Sequence, residues 1–249
     1  MKKCIVFLVV ACVCVPLFAQ TGSLKKAGDY YAQKNYEAAI QEYEMIRQKQ
    51  GVSAELYYNL GNAYYRSGQT GKSILNYNRA LMLAPNYSDA QFNLRIAQRK
   101  IVDNVDATSS FFLVEWASDF GNLLTSNGWA ITAAILFAIA MCTLLLFVFN
   151  RKIILRKLFF NMAVVCLIIS LISVIYAFKQ SNRIENSSDG IIMAGSVTAK
   201  DSPSLTGKDV FVLHEGTKVT MRKEVSGWTE IELPDGNAGF IPATDIEKI

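Results

Sequence analysis

The chain has 249 residues, 51% of them hydrophobic and only 18% charged, with a net charge of +4. That length holds one or two domains, and the low charged fraction points toward membrane segments. The single histidine, His214, excludes most His-ligated metal sites and any Ser-His-Asp or Cys-His machinery not built on it.

Met1-Lys2-Lys3 precedes an apolar run from Cys4 to Pro16, with the small residue Ala19 at the cleavage edge. This is the pattern of an export signal, and residues 1–19 are assigned to it. An uncleaved anchor fits the same residues. Val9-Val10-Ala11-Cys12 loosely matches a lipoprotein signal, but the apolar run continues past Cys12 where a polar mature chain should begin. Of the five cysteines, Cys4, Cys12 and Cys14 lie in the signal, and Cys142 and Cys166 in apolar segments described next. The exported soluble parts therefore hold none, which excludes a disulfide framework or a thiol redox site there.

An internal repeat comes next, over residues 20–106. Tyr57, Leu60-Gly61, Tyr64, Ser73, Tyr77, Ala80 and Pro85 fall at the spacing of a tetratricopeptide repeat over residues 54–87. Small residues at Gly61, Ser73 and Ala80 let two antiparallel helices approach, Tyr64 and Tyr77 fill the gap, and Pro85 ends the second helix. Shifting by 34 residues yields a degenerate copy over 20–53, with Ala27, Tyr30, Ala39, Tyr43 and Ile46 at the matching positions. Residues 88–103 are expected to form a capping helix. Two repeats fall short of the usual three, so the array is expected to lean on a partner or a neighbouring segment. Such arrays bind peptides or helices in a concave groove; here it would be lined by Tyr58, Asn62, Tyr65, Arg95 and Arg99. Asn62 beside a basic residue is a candidate grip on a peptide carboxylate, although Leu-Gly-Asn-Ala-Tyr is also ordinary repeat sequence.

Residues 107–128 are amphipathic and aromatic, and read either as a helix lying along the membrane surface or as a loop or cover for the repeat core. Trp129 to Phe149 and Leu158 to Phe178 carry no charge, and each is long enough to cross a bilayer. Ala130, Ala134, Ala138 and Cys142 make a small-residue stripe suited to packing against Ser170, Ser173, Ala177 or a second subunit. The loop 150–157 holds Arg151, Lys152, Arg156 and Lys157 and no acid, so the positive-inside rule places it in the cytoplasm and both soluble parts outside. These four charges equal the whole net excess. No basic face for nucleic acid remains.

After a linker over 179–189 the periodicity changes to short β-rich runs over Ile191–Ala199, Val210–Leu213, Lys218–Arg222, Trp228–Leu233 and Gly239–Ile241, separated by Gly- and Pro-containing turns. Five strands in residues 190–249 suggest a small barrel. The tight turn at His214-Glu215-Gly216, Gly227-Trp228 opening a strand, and Gly239-Phe240-Ile241 resemble a bacterial SH3-type domain. The Tyr-rich face that binds PxxP motifs is missing. Trp228 and Phe240 are candidates either for core packing or for a ligand surface, and His214 for a turn.

The expected architecture is a multi-domain membrane protein: an α-helical tetratricopeptide-repeat array, two transmembrane helices and a small all-β SH3-like barrel. The order of parts resembles the BatE family of the Bacteroides aerotolerance operon. That resemblance implies a periplasm-facing, inner-membrane scaffold in an envelope complex with Bat-family von Willebrand A-domain proteins, tied to aerotolerance or stress resistance. A cell-wall sensor whose SH3-like module recognises peptidoglycan peptides is the alternative. No metal-ligand spacing, phosphate-cradling glycine loop or paired carboxylate appears: Glu42 and Glu44, two apart on a helix, point different ways. Neither an enzyme nor a cofactor is expected.

Overall fold

The computed structural model describes residues 19–103 and 112–249. Residues 1–18 of the signal expected over 1–19, and residues 104–111 with the start of the amphipathic segment expected over 107–128, lie outside the described residues. The helical array consists of α1 (Ala19–Ala32), α2 (Tyr36–Gln50), α3 (Ala54–Arg66), α4 (Thr70–Leu83) and α5 (Ser88–Gln98).

Its 34-residue symmetry extends to the backbone of the turns. Between α1 and α2, Lys34 has φ 62°, and the Asn35 N–H bonds the Tyr30 carbonyl at 3.0 Å. Between α3 and α4, Gly68 has φ 84°, and the Gln69 N–H bonds the Tyr64 carbonyl at 2.9 Å. Both are left-handed helix stops of the Schellman kind, which suit glycine and strain lysine. The first hairpin packs Ala27, Ala39, Tyr43 and Ile46 against Leu56, Leu60 and Tyr64 of α3. Within the second, an added Cβ at Gly61 would stand 2.6 Å from the buried Tyr77 ring, so only glycine admits that approach.

Two long helices follow, α7 (Ser126–Phe149) and α8 (Ile153–Glu185), after the short α6 (Phe112–Gly121). Both α7 and α8 are long and apolar enough to cross a membrane, and only 17% of the most apolar stretch of each is buried. Their bounds exceed those expected. α8 starts inside the basic loop and runs through Glu185, because neither Ile153-Ile154-Leu155 nor the segment after Phe178 contains a glycine or proline to stop it. The connection shrinks to Asn150–Lys152. The packed seam also differs from the expected stripe. Ala130, Ala134, Ala138 and Cys142 are exposed, and the contact instead uses Trp129, Ala133, Ala140 and Thr143 against Ala163, Ser170, Ser173 and Gln180. Those intervals of three, four and seven average 3.5 residues per turn and keep one face on the partner, whereas strict i+4 spacing drifts around the helix. The Ser170 hydroxyl donates to the Ala133 carbonyl at 2.9 Å across this seam.

The C-terminal unit is one antiparallel sheet of seven strands in the order β3-β2-β6-β5-β4-β1-β7. They are β1 (Asp189–Ile192), β2 (Ser196–Lys200), β3 (Asp209–His214), β4 (Lys218–Val225), β5 (Trp228–Glu232), β6 (Ala238–Pro242) and β7 (Ile246–Lys248). The first expected run splits in two where Met193 N–H turns aside to the Asp245 carbonyl at 2.8 Å. A further strand, Ile246–Lys248, lies beyond the five expected runs. Ser226 and Gly227, both at positive φ, make the tight β4–β5 hairpin turn. The sheet is not a closed barrel: β3 and β7 are its two edges. Helix α4 stands beside the β7 edge, where Arg79 binds Glu247 at 3.1 Å and donates to the Lys248 carbonyl. The core holds Ile192, Val197, Leu213, Val219, Ile231 and Ile241.

Candidate functional site

Helices α1, α3, α4 and α5 together form a cleft of about 220 Å³, lined by Tyr31 of α1, Asn62, Tyr65 and Arg66 of α3, Tyr77 of α4, and Asn93 and Ile96 of α5. Helix α3 supplies Asn62, Tyr65 and Arg66 from one face, since three- and four-residue steps return to the same side. The Asn62 carbonyl oxygen accepts from the Tyr77 hydroxyl at 2.7 Å and from the Asn93 amide at 2.8 Å. Its amide nitrogen has no partner among the described residues and is left as a donor to an incoming acceptor. Burial pushes the Tyr77 hydroxyl well above its ordinary pKa, so it stays protonated and keeps donating to Asn62.

Of the sequence candidates, Asn62 and Tyr65 line this cleft. Tyr58 lies beneath it, half-buried, its ring 4.9 Å from Tyr87 and its hydroxyl 3.4 Å from the Asn93 amide. Arg95 and Arg99 are exposed and do not line it; Arg95 lies over Phe92 on its own helix. The positive charges near the cleft are Arg66, and Lys100, whose ammonium sits 4.0 Å from the centre of the Tyr65 ring. Asn93 carries no signal in the sequence, because its role depends on where α5 crosses α3, which repeat spacing does not specify.

The array does lean on a neighbour. Ile74, Leu75, Tyr77 and Ala97 share a core with Ile191 of β1, and Ile101, Met193 and Ile249 pack at its margin. Two carboxylates lock this contact. Asp103, just past α5, accepts from the His214 N–H and the Thr217 hydroxyl, each at 2.7 Å, and meets His214 Nδ1 at 2.7 Å. Burial acts to raise the Asp103 pKa, but the hydrogen bonds from Thr217 and His214 outweigh it and hold the carboxyl below its ordinary value. His214 is thus the end of a strand anchored across the junction rather than a free turn. Glu215 reaches α4, accepting from the Gly71 N–H at 2.7 Å. The N-cap Gln69 makes no side-chain cap bond, so a residue 144 positions away supplies an acceptor that local sequence lacks. A Cβ on Gly71 would meet that side chain at 2.7 Å.

On the sheet, strand alternation buries Thr229 and Ile231 of β5 and Gly239 and Ile241 of β6. Trp228 and Phe240 therefore lie on the opposite face, half-buried and outside the core, in register with Pro242 and Glu230 respectively. Among the described residues no cluster of His, Cys, Asp or Glu could hold a metal ion.

The tetratricopeptide repeat model matches residues 54–87. Helices α3 and α4 are a tetratricopeptide repeat. The match covers the hairpin that contributes Asn62, Tyr65 and Tyr77, and a tetratricopeptide repeat there supports a role in binding other proteins. A search of curated proteins finds no match.

Proposed function

We propose that the chain is a membrane-anchored scaffold whose tetratricopeptide-repeat cleft captures an acceptor-bearing segment of a partner protein. The observation that carries this reading is the Asn62 amide: its oxygen is fixed by Tyr77 and Asn93, its nitrogen is unpartnered among the described residues, and Arg66 stands beside it. An NH₂ donor beside a guanidinium suits a peptide carbonyl or carboxylate. The uncovered apolar surfaces of α7 and α8 support the anchor, since a soluble protein rarely leaves so large a patch in water. The charges Arg151, Lys152, Arg156 and Lys157 favour a cytoplasmic hairpin tip, with both soluble units on the periplasmic side of an inner membrane. The resemblance to the BatE family extends this to an envelope complex with von Willebrand A-domain partners and a part in aerotolerance or stress resistance.

Co-purification from cells in mild detergent tests the reading. The wild-type chain should recover an envelope partner, and Asn62→Asp, which replaces the donor with a repelling carboxylate, should lose it. Equal recovery by both proteins would overturn the role of the cleft. Digestion in spheroplasts tests the orientation, since both soluble units should be cut from outside.

A second reading rests on Trp228 and Phe240, a pair of aromatic rings on the outer face of the sheet beside Pro242. Such a face suits cell-wall peptides or sugars. Retention of the solubilised chain on purified wall sacculi, abolished by Trp228→Ala, is its expected outcome; a chain that stays in the supernatant refutes it.

A further inference from the structure

Helix α6 packs across the top of the α7–α8 hairpin through an aromatic cluster. Trp129 stacks on Tyr176 with centroids 5.2 Å apart, Phe120 lies 5.5 Å from each, and the Trp129 indole donates to the Gly121 carbonyl at 2.8 Å. Around it Phe112, Trp116 and Phe178 are respectively 66%, 69% and 74% exposed. Aromatic side chains half in and half out of an apolar cluster mark the height of a membrane–water interface.

At that height α6 and α8 enclose a pocket of about 50 Å³ lined by Ser118, Asn122, Tyr176, Lys179, Gln180 and Arg183. This is several times the roughly 10–15 Å³ needed to admit one water. Gln180 is 8% exposed, and neither its amide oxygen nor its amide nitrogen has a partner among the described residues. Buried amides are ordinarily satisfied, so this one is left for something outside the fold. Lys179 and Arg183, one helical turn apart, flank it, and neither pairs with an acid among the described residues. They are also the basic residues nearest the apolar span on the side where the positive-inside rule expects few. Arg183 and Asn122 line a second cleft as well, of about 180 Å³, between α4 and the sheet, so the pocket opens toward the junction of all three units.

We propose that this pocket holds the headgroup of an anionic phospholipid from the leaflet on the α6 side. Lys179 and Arg183 meet the phosphodiester, and the Gln180 amide, whose atoms are closed to solvent in the fold, turns toward it to donate through its NH₂ and to accept from a headgroup hydroxyl. The two cations supply attraction, and the buried amide selects a headgroup that both accepts and donates. The bound lipid ties α6 to α8 directly beneath the docked repeat and sheet. This inference rests on the membrane reading above.

Alkaline carbonate extraction of membranes comes first: release of the chain refutes the membrane reading itself and is distinct from failure of the pocket. The full chain is then placed in nanodiscs of equal parts phosphatidylcholine and phosphatidylglycerol, and the lipids retained after delipidation are weighed by mass spectrometry. Wild type should retain phosphatidylglycerol preferentially. Lys179→Gln and Arg183→Gln should each reduce that preference about fivefold. Gln180→Leu should lose it while retaining the helical circular dichroism of wild type. Arg151→Gln with Lys152→Gln, at the opposite end of the hairpin, should leave it unchanged. Equal phosphatidylglycerol retention by wild type and the Lys179 and Arg183 variants overturns the proposal. So does displacement of the lipid by excess inorganic phosphate, which would assign the pocket to a free anion.

Discussion

Glu215 and Gly71 make a coupled pair that reports on how the sheet holds the repeat. Removing the carboxylate with Glu215→Ala deletes the acceptor for the Gly71 N–H, at 2.7 Å, in the first turn of α4. Loss of an N-terminal cap costs about 1 kcal/mol, and loss of the favourable charge at the positive end of the helix about 0.3–1 kcal/mol more. The variant should therefore be less stable by about 1–2 kcal/mol. Gly71→Ala alone gains roughly 0.5–1 kcal/mol of helix propensity, but its Cβ would stand 2.7 Å from Glu215 Cγ and 2.8 Å from Oε1. The carboxylate must move away, so the single variant loses the cap as it gains propensity and should end about 0–1.5 kcal/mol less stable than wild type. In the Glu215→Ala background nothing obstructs the methyl, and the same substitution should stabilise. The cycle should thus show a coupling energy equal to the lost cap, about 1–2 kcal/mol. Denaturant unfolding of the full chain in detergent measures it, and hydrogen exchange of the first α4 amides localises it. Additivity within about 0.3 kcal/mol would refute the trans-capping argument.

Gly61→Ala drives a methyl to within 2.6 Å of the buried Tyr77 ring and should cost about 1–3 kcal/mol; an unchanged unfolding midpoint contradicts the close approach. Lys34→Gly relieves the left-handed backbone at φ 62° and should stabilise the array by up to about 1 kcal/mol, because the left-handed cost exceeds the entropy added to the unfolded chain. Asp103 has a lowered folded pKa, so its contribution is fully present above the ordinary aspartate value and is lost as pH falls through the folded value. Acid should accordingly loosen the junction of repeat and sheet, read as faster protease cleavage, and Asp103→Asn should remove that part of the pH dependence while weakening the contact at neutral pH.

Much of the helical half was legible because close packing there is local. Gly61 and Tyr77 meet within one 34-residue hairpin, and spacing alone identifies that this small residue faces that ring, whereas Tyr64 packs outward against the first hairpin. The groove was legible only in part. Asn62 and Tyr65 follow from the face of α3, but Arg95 and Arg99 were chosen as basic residues of a capping helix whose rotation about its own axis the pattern leaves open. In the fold, that rotation turns Asn93 and Ile96 inward and both arginines outward. Trp228 and Phe240 illustrate the same difficulty in a strand: a one-residue choice of phase decides between core and surface, and large aromatic rings tolerate either.

By itself the sequence determined the repeat, the two apolar spans and the change to β-strands, since each is a periodicity of hydrophobic and small residues along the chain. Tertiary structure alone decided that the sheet docks on α4 and α5 and remains open, with Arg79 holding the β7 edge. It also decided that α7 and α8 meet along a 3.5-residue seam, and that Gln180 is buried without a partner beside two cations. The physical reason is common to these features. Each depends on residues far apart in sequence, such as Gly71 with Glu215 or Asp103 with His214, meeting at hydrogen-bonding distance, and no periodicity along the chain encodes a distance between two elements.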